Sequence, residues 1–179
     1  MMKFKVFLTI LKLIYLKLIG KIKKIHSTVE INQIKQKESK NILIIFPLNE
    51  EAFRVASYAF RNLEQKEGTN YYFLINSVYK NHFHLSGYIY DIFYNVKKGK
   101  AEIDKYFSNE IIRNKQFDFV VDLNEEFNFD ISYLINEISG YYKIGFKSPY
   151  SDYFYNMQLD LDSFEFLEKS YTRINTILG

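Results

Sequence analysis

Residues 42–53 read ILIIFPLNEEAF. The first five form a short, continuous apolar run rich in isoleucine, the pattern of a strand buried on both faces of a sheet. Pro47 stops that run, and Asn49 is a natural helix N-cap. Across 50–65, Ala52, Phe53, Val55, Ala56, Ala59, Phe60 and Leu63 then fall at helical spacing, with Gly68 as the stop. A buried strand turning straight into an amphipathic helix is the first half of a β–α–β crossover, so this stretch predicts a parallel α/β sheet. In many nucleotide-binding folds such a turn carries glycines that cradle a phosphate. Here it carries Glu50 and Glu51 and no glycine.

The alternation continues to the end of the chain. Strands are expected at 71–75, 89–94, 117–123 and 142–146, and helices at 78–85, 100–115, 129–138 and 163–178, the last capped by Ser163. Residues 41–179 therefore read as a single Rossmann-like α/β domain with a mostly parallel sheet of about five strands. The 179 residues suffice for one proper core, and 47% hydrophobic and 18% aromatic content excludes a disordered chain. With no cysteine there is neither a disulfide framework nor a thiolate metal site, which fits a reducing cytoplasm.

Charge divides the chain unevenly. Residues 1–40 hold ten lysines against Glu30 and Glu38, a net +8; the whole chain carries +3, so the remainder carries −5. A basic arm on an acidic body points to an anionic surface for the arm and argues against nucleic acid as a partner of the body. Residues 1–27 are apolar and lysine-rich together and predict a helix, and 28–40 a polar linker. Val6–Leu11 is the longest lysine-free apolar run, far short of the ~20 residues of a membrane span. The expected role is contact with an anionic membrane through Lys5, Lys12, Lys17, Lys21 and Lys24, peripheral on the inner face of the cell membrane. Against this, the lysines do not segregate onto one helix face, and the helix could instead pack on the body or on a partner.

Few residues carry recognisable chemistry. Glu50 and Glu51 open a helix, where carboxylates complement the positive end of its dipole and disfavour a bound phosphate. Asp122, followed by Asn124, Glu125 and Glu126, ends a central strand, on the edge where open α/β sheets gather ligands. This cluster could hold a polar acceptor, or a divalent cation through oxygen ligands, or it could simply be solvated. His82 and His84 lack an evident third ligand, so no metal is expected. The glycines stand singly, without dinucleotide or P-loop spacing, so no cofactor is expected.

The order and spacing of these elements resemble the N-terminal, acceptor-side half of family 9 glycosyltransferases, the ADP-heptose:lipopolysaccharide heptosyltransferase group. The residues that carry the resemblance are NILIIFPLNEEAFRVASYAFRNL from Asn41, FDFVVDL from Phe117, KIGF from Lys143 and YFYNMQL from Tyr153. The resemblance implies half of a GT-B fold, a saccharide acceptor at the carboxyl edge of the sheet, and a link to cell-surface lipopolysaccharide assembly. It also implies two departures. The family's turn aspartate, its general base, falls on Ala52, and an alanine cannot take a proton. The sequence ends at Gly179, where the resemblance places the start of a donor-binding half. The expectation is a protein incomplete as an enzyme alone, needing a separate donor-binding chain. Glu50 and Glu51 are the weak catalytic candidates, and Asn49, Asp122 and Asn124 the acceptor-side ones. The alternative is a non-catalytic binding or scaffold module at a membrane surface.

Overall fold

A computed structural model of the chain describes residues 2–23, 25, 40–63, 67–161 and 166–178. Lys24, the expected linker and the expected cap Ser163 lie outside the described residues, as do the side chains of residues 2–6, Lys5 among them. Helix α1 spans Met2–Leu18. It is followed by β1 (Lys40–Ile45), α2 (Glu50–Phe60), β2 (Thr69–Asn76) and a 3-10 turn (Ser77–His82). Next come the hairpin β3 (Tyr88–Asn95) and β4 (Lys100–Ile103), a π-helical turn (Phe107–Ile111) running into the short α3 (Ile112–Asn114), and β5 (Gln116–Asp122). Helix α4 (Phe129–Glu137), β6 (Ser139–Phe146), β7 (Met157–Leu159) and α5 (Leu167–Leu178) complete the order.

The sheet order is β4-β3-β2-β1-β5-β6-β7. Every neighbouring pair is parallel except β3 with β4. The α/β fold expected from the sequence is present, with seven strands rather than about five. The two extra strands have physical causes. Residues 100–103, expected to begin a helix, instead pair antiparallel with β3, placing Ala101 opposite Tyr94. The helical turn starts only after Asp104, whose Oδ1 accepts the Phe107 amide at 3.0 Å. β7 is three residues long, too short to show a period, and is fixed by pairing with Ile144–Phe146.

The two sheet faces bury separate cores. On one, Ile42, Ile44 and Phe46 meet Phe53, Ala56 and Phe60 of α2 and Tyr171, Ile174 and Leu178 of α5. Phe46 is the hub of this side, with its ring edge-on to Phe53, Phe60, Phe73 and Phe83 at 4.9–6.1 Å. On the other face, Leu43, Ile45 and Val120 pack under Phe107, Ile131, Leu134 and Ile135. Leu13 of α1, fully buried, joins this second core together with Ile22. The alternative of a helix packed on the body is thus realised for one face of α1.

Candidate functional site

Strand order reverses between β1 and β5, since β1 leads outward to β2 and β5 to β6. Crevices outside the carboxyl ends of the strands at such a switch point are where open α/β sheets bind ligands. The turn quoted at the outset lies there. After Ile45, the Phe46 amide still bonds to Leu74 O at 2.9 Å, and Leu123 N closes onto Ile45 O at 3.0 Å. Pro47, which lacks an N–H, ends the ladder.

The turn's own polar groups are then taken up by side chains. Asn124 Oδ1 accepts the Leu48 amide at 2.9 Å, and Asn76 Nδ2 donates to the Leu48 carbonyl at 3.3 Å. Asn49 Oδ1 accepts the Ala52 amide at 3.2 Å, the N-cap bond expected from sequence. The amides of Leu48 and Ala52, which a glycine-rich turn would leave free for a phosphate, are occupied by protein oxygen. Glu50 and Glu51 add negative charge in the first turn of α2, so this helix end repels anions rather than gathering them.

A cavity of about 400 Å³ opens beside this turn. Asn49, Glu50 and Ala52 form one wall, and Asn124, Glu125, Glu126, Phe127 and Asn128, following β5, form the other. Tyr79 and Tyr94 close it from the β2–β3 side. Two of the three acceptor-side candidates, Asn49 and Asn124, line the cavity; Asp122 does not. Glu51 faces the outer side of α2 with Arg54.

Asp122, expected as an acceptor-side residue or a solvated loop residue, is buried and does not line the cavity. Its side chain is 3% exposed. One carboxylate oxygen accepts the Asn124 amide at 3.0 Å and the Asn124 side-chain amide at 2.7 Å. The other accepts the Tyr155 hydroxyl at 2.6 Å. Burial pushes this carboxyl up from the ordinary aspartate value, and the three hydrogen bonds oppose the shift. Asp122 is therefore a positioning residue: it orients Asn124, and Asn124 holds the Leu48 amide. Tyr155 reaches it across Gly145 of β6, where a Cβ would lie 2.5 Å from the tyrosine ring. Only glycine allows the ring to lie flat on the strand.

Glu125 is the pocket carboxyl with raised proton affinity. Desolvation leads, and the negative charges of Glu126 and Glu51 add to it. Burial and the Glu50 charge also push the Tyr79 hydroxyl up. Carboxylates and amides beside tyrosine and phenylalanine rings make a cavity suited to a polyhydroxylated ligand, with hydroxyls on the polar groups and C–H faces on the rings. The sequence named Glu125 and Glu126 as part of the strand-end cluster, but gave no sign of Tyr79, Tyr94 or Phe127, which arrive from distant elements. His82 and His84 are exposed, and among the described residues no group of histidine, aspartate or glutamate has a metal-binding arrangement.

No protein-family model and no curated protein matches the chain. Among solved structures, the chain is similar to E. coli heptosyltransferase WaaC with ADP. The TM-score is 0.57 at 14% identity, over 76% of this chain and 46% of that one. The likeness is one of fold: a mostly parallel sheet wrapped by helices, as in a Rossmann-like GT-B domain. The chain thus spans less than half the length of the transferase it matches.

Proposed function

We propose that these residues form the acceptor-side half of a heptosyltransferase-like protein linked to cell-surface saccharide assembly, and that they bind a saccharide in the switch-point cavity. The observation that carries the reading is the cavity itself, with amides and carboxylates on two walls and tyrosines on the third. The fold likeness to a heptosyltransferase supports the choice of a sugar over other polyhydroxylated ligands. The donor diphosphate is not held at the α2 N-terminus, where Asn49 and two glutamates already serve the helix end, and on this reading a separate donor-binding half supplies it.

Ala52, buried at the position where the resemblance expects a general base, favours a second reading: a non-catalytic binding module that retains the acceptor site. The two readings differ at Glu125. If sugar transfer occurs, the proton of the acceptor hydroxyl falls to Glu125, the cavity carboxyl of raised proton affinity.

Saturation-transfer NMR with lipopolysaccharide inner-core oligosaccharides and with ADP-heptose tests the proposal. The expected result is acceptor binding that Glu125→Gln and Tyr94→Ala each weaken about tenfold, the scale of one polar or stacking contact. Absence of saccharide binding would sink the acceptor role. Turnover on adding a donor-binding half, lost in Glu125→Gln, would decide for the enzyme; binding without turnover would decide for the module.

A further inference from the structure

Three features lie beyond the switch-point cavity. Lys143, buried beside Lys23, borders a second cavity of about 380 Å³. Both ammoniums, however, are engaged with the last carbonyls of α4, at 3.1 Å to Asn136 and 3.2 Å to Glu137, a helix-capping role that accounts for them. The β3–β4 hairpin groups Lys97, Lys98 and Lys100 with exposed Phe93 on an open surface, and it offers no enclosed site. The third is helix α1.

One face of α1 is spoken for. Leu13 is fully buried, Ile10 and Leu16 pack beside it, and the helix ends at Gly20 with the Lys21 amide turned back onto Leu16 O at 2.9 Å. Among the described side chains, the opposite face is exposed and apolar. Phe7, Leu11, Ile14 and Leu18 recur at i, i+4, i+7 and i+11, so they form one stripe, with Leu8 and Tyr15 beside it. Leu18 is 80% exposed and Leu11 46%.

Lysines flank this stripe instead of opposing it. Lys12 stands over the Phe129 ring at 3.7 Å on one side, and Lys17 over Tyr153 at 5.4 Å on the other. The ammoniums thus lie at the seam between α1 and the body. Outward from the body the order is protein, then cations, then hydrocarbon. That is the layering of a helix lying in a membrane interface, with its apolar face in the acyl boundary and its charges among the headgroups.

We infer that α1 is an in-plane anchor that seats the body on a bilayer containing anionic lipid. Charge complementarity selects this occupant. Residues 1–29 contain seven lysines and no acidic residue. A second copy of the chain would bring the two lysine seams together, and protein interfaces are depleted in lysine. No described helix is long and apolar enough to cross the membrane, so the helix lies along the surface. Phe129, under Lys12, opens α4 directly after Phe127 and Asn128 of the switch-point cavity, so α1 is seated beside the segment that forms one cavity wall. The inference stands whether or not the cavity binds sugar.

Vesicle flotation of the full chain tests it, with phosphatidylcholine alone and with one third phosphatidylglycerol. Binding to the anionic vesicles only is expected, and it should weaken in high salt. Leu11→Glu with Leu18→Glu should lower partitioning at least about tenfold per leucine. Both side chains are exposed, so circular dichroism and the urea midpoint should stay at the wild-type values. Replacing Lys12, Lys17 and Lys21 with Gln, which leaves every apolar contact, should cost about fivefold per lysine. The chain has no tryptophan, so Leu11→Trp supplies a clean reporter, expected to shift to the blue and to be quenched by brominated acyl chains. Absent binding, equal binding to both vesicle types, or wild-type binding by the double glutamate variant would overturn the inference. So would lipid-free dimerisation abolished by that variant.

Discussion

Replacing Tyr155 by phenylalanine isolates the contact on which the geometry of the turn depends. The substitution removes one oxygen from a buried pair whose O···O separation is 2.6 Å, the length of a charge-assisted bond. The ring stays on Gly145, so packing is preserved and the loss is electrostatic. Hydrogen bonds to charged groups contribute about 1.5–3 kcal/mol, and the carboxylate left behind loses a donor it cannot replace from water. The expected cost is about 2–3 kcal/mol. For a chain of this size that is a fall in Tm of roughly 4–10 °C. The loss depends on pH with a definite sign. Burial already raises the Asp122 carboxyl above its ordinary 3.8, and the Tyr155 bond restrains that rise. Removing it lets the folded-state value climb further. Stability present at low pH is then lost over a wider window as pH rises through that value. The difference between wild type and variant should be smallest where Asp122 is protonated in both folds and should grow as pH rises through the wild-type value. Tyr171→Phe is the control: its hydroxyl donates to the Leu123 backbone carbonyl at 2.8 Å, which does not titrate, so its cost of about 1 kcal/mol should be flat in this acid range. Urea unfolding from pH 3.5 to 7.5 measures both. A Tyr155→Phe midpoint that tracks wild type at every pH would refute the assignment of Asp122 as an ionised positioning group.

Lys143 is buried, and desolvation with the nearby Lys23 charge lowers its ammonium from 10.5 to about 8, so carrying that charge in the fold costs about 3 kcal/mol at pH 7. Lys143→Met should stabilise the chain by about 1–2 kcal/mol there, after losing the bond to Asn136 O. Wild type should recover relative to the variant between pH 8 and 10.5, and parallel urea curves across that range would contradict this. Gly145→Ala drives a methyl into the Tyr155 ring and should cost about 1–3 kcal/mol. Because both changes act through the Asp122 contact, Gly145→Ala combined with Tyr155→Phe should cost less than the sum of the two, which a double-mutant cycle measures.

Strands buried on both faces were legible because their sequences permit little else: Ile42–Ile45 are each fully buried, and no helix stripe fits four consecutive apolar residues as well. Helix α2 was legible from its stripe and its cap, and Ala52, Phe53, Ala56 and Phe60 are the side it buries. Residues 100–103 were not, because KAEI satisfies either period and only pairing with Tyr94 and its neighbours makes it a strand. At the site the division is the same. Asn49 acts within its own turn, and sequence identified it. Asp122 acts through Tyr155, 33 residues away, and an acidic residue at a strand end has no local feature that separates a buried positioning group from a solvated one. The spread of the α1 lysines around the helix had no interpretation in the sequence, because a wheel drawn without the body has no inside. Once Leu13 defines the buried side, Lys12 and Lys17 become two flanks of an apolar face.

These contacts together answer why the turn after β1 has no glycine. A phosphate cradle needs free amides, close backbone approach and positive potential. This turn has Leu48 N on Asn124, Ala52 N on Asn49, and carboxylates at Glu50 and Glu51. With these two amides on protein oxygen and Glu50 beside them, the turn forms an acidic wall of the cavity. The contacts Tyr155–Asp122–Asn124–Leu48 link the β6–β7 connection, the end of β5 and the turn after β1 at the carboxyl edge of the sheet. In this turn the buried Asp122 carboxylate, acting through Asn124, is the internal group that fixes the Leu48 amide.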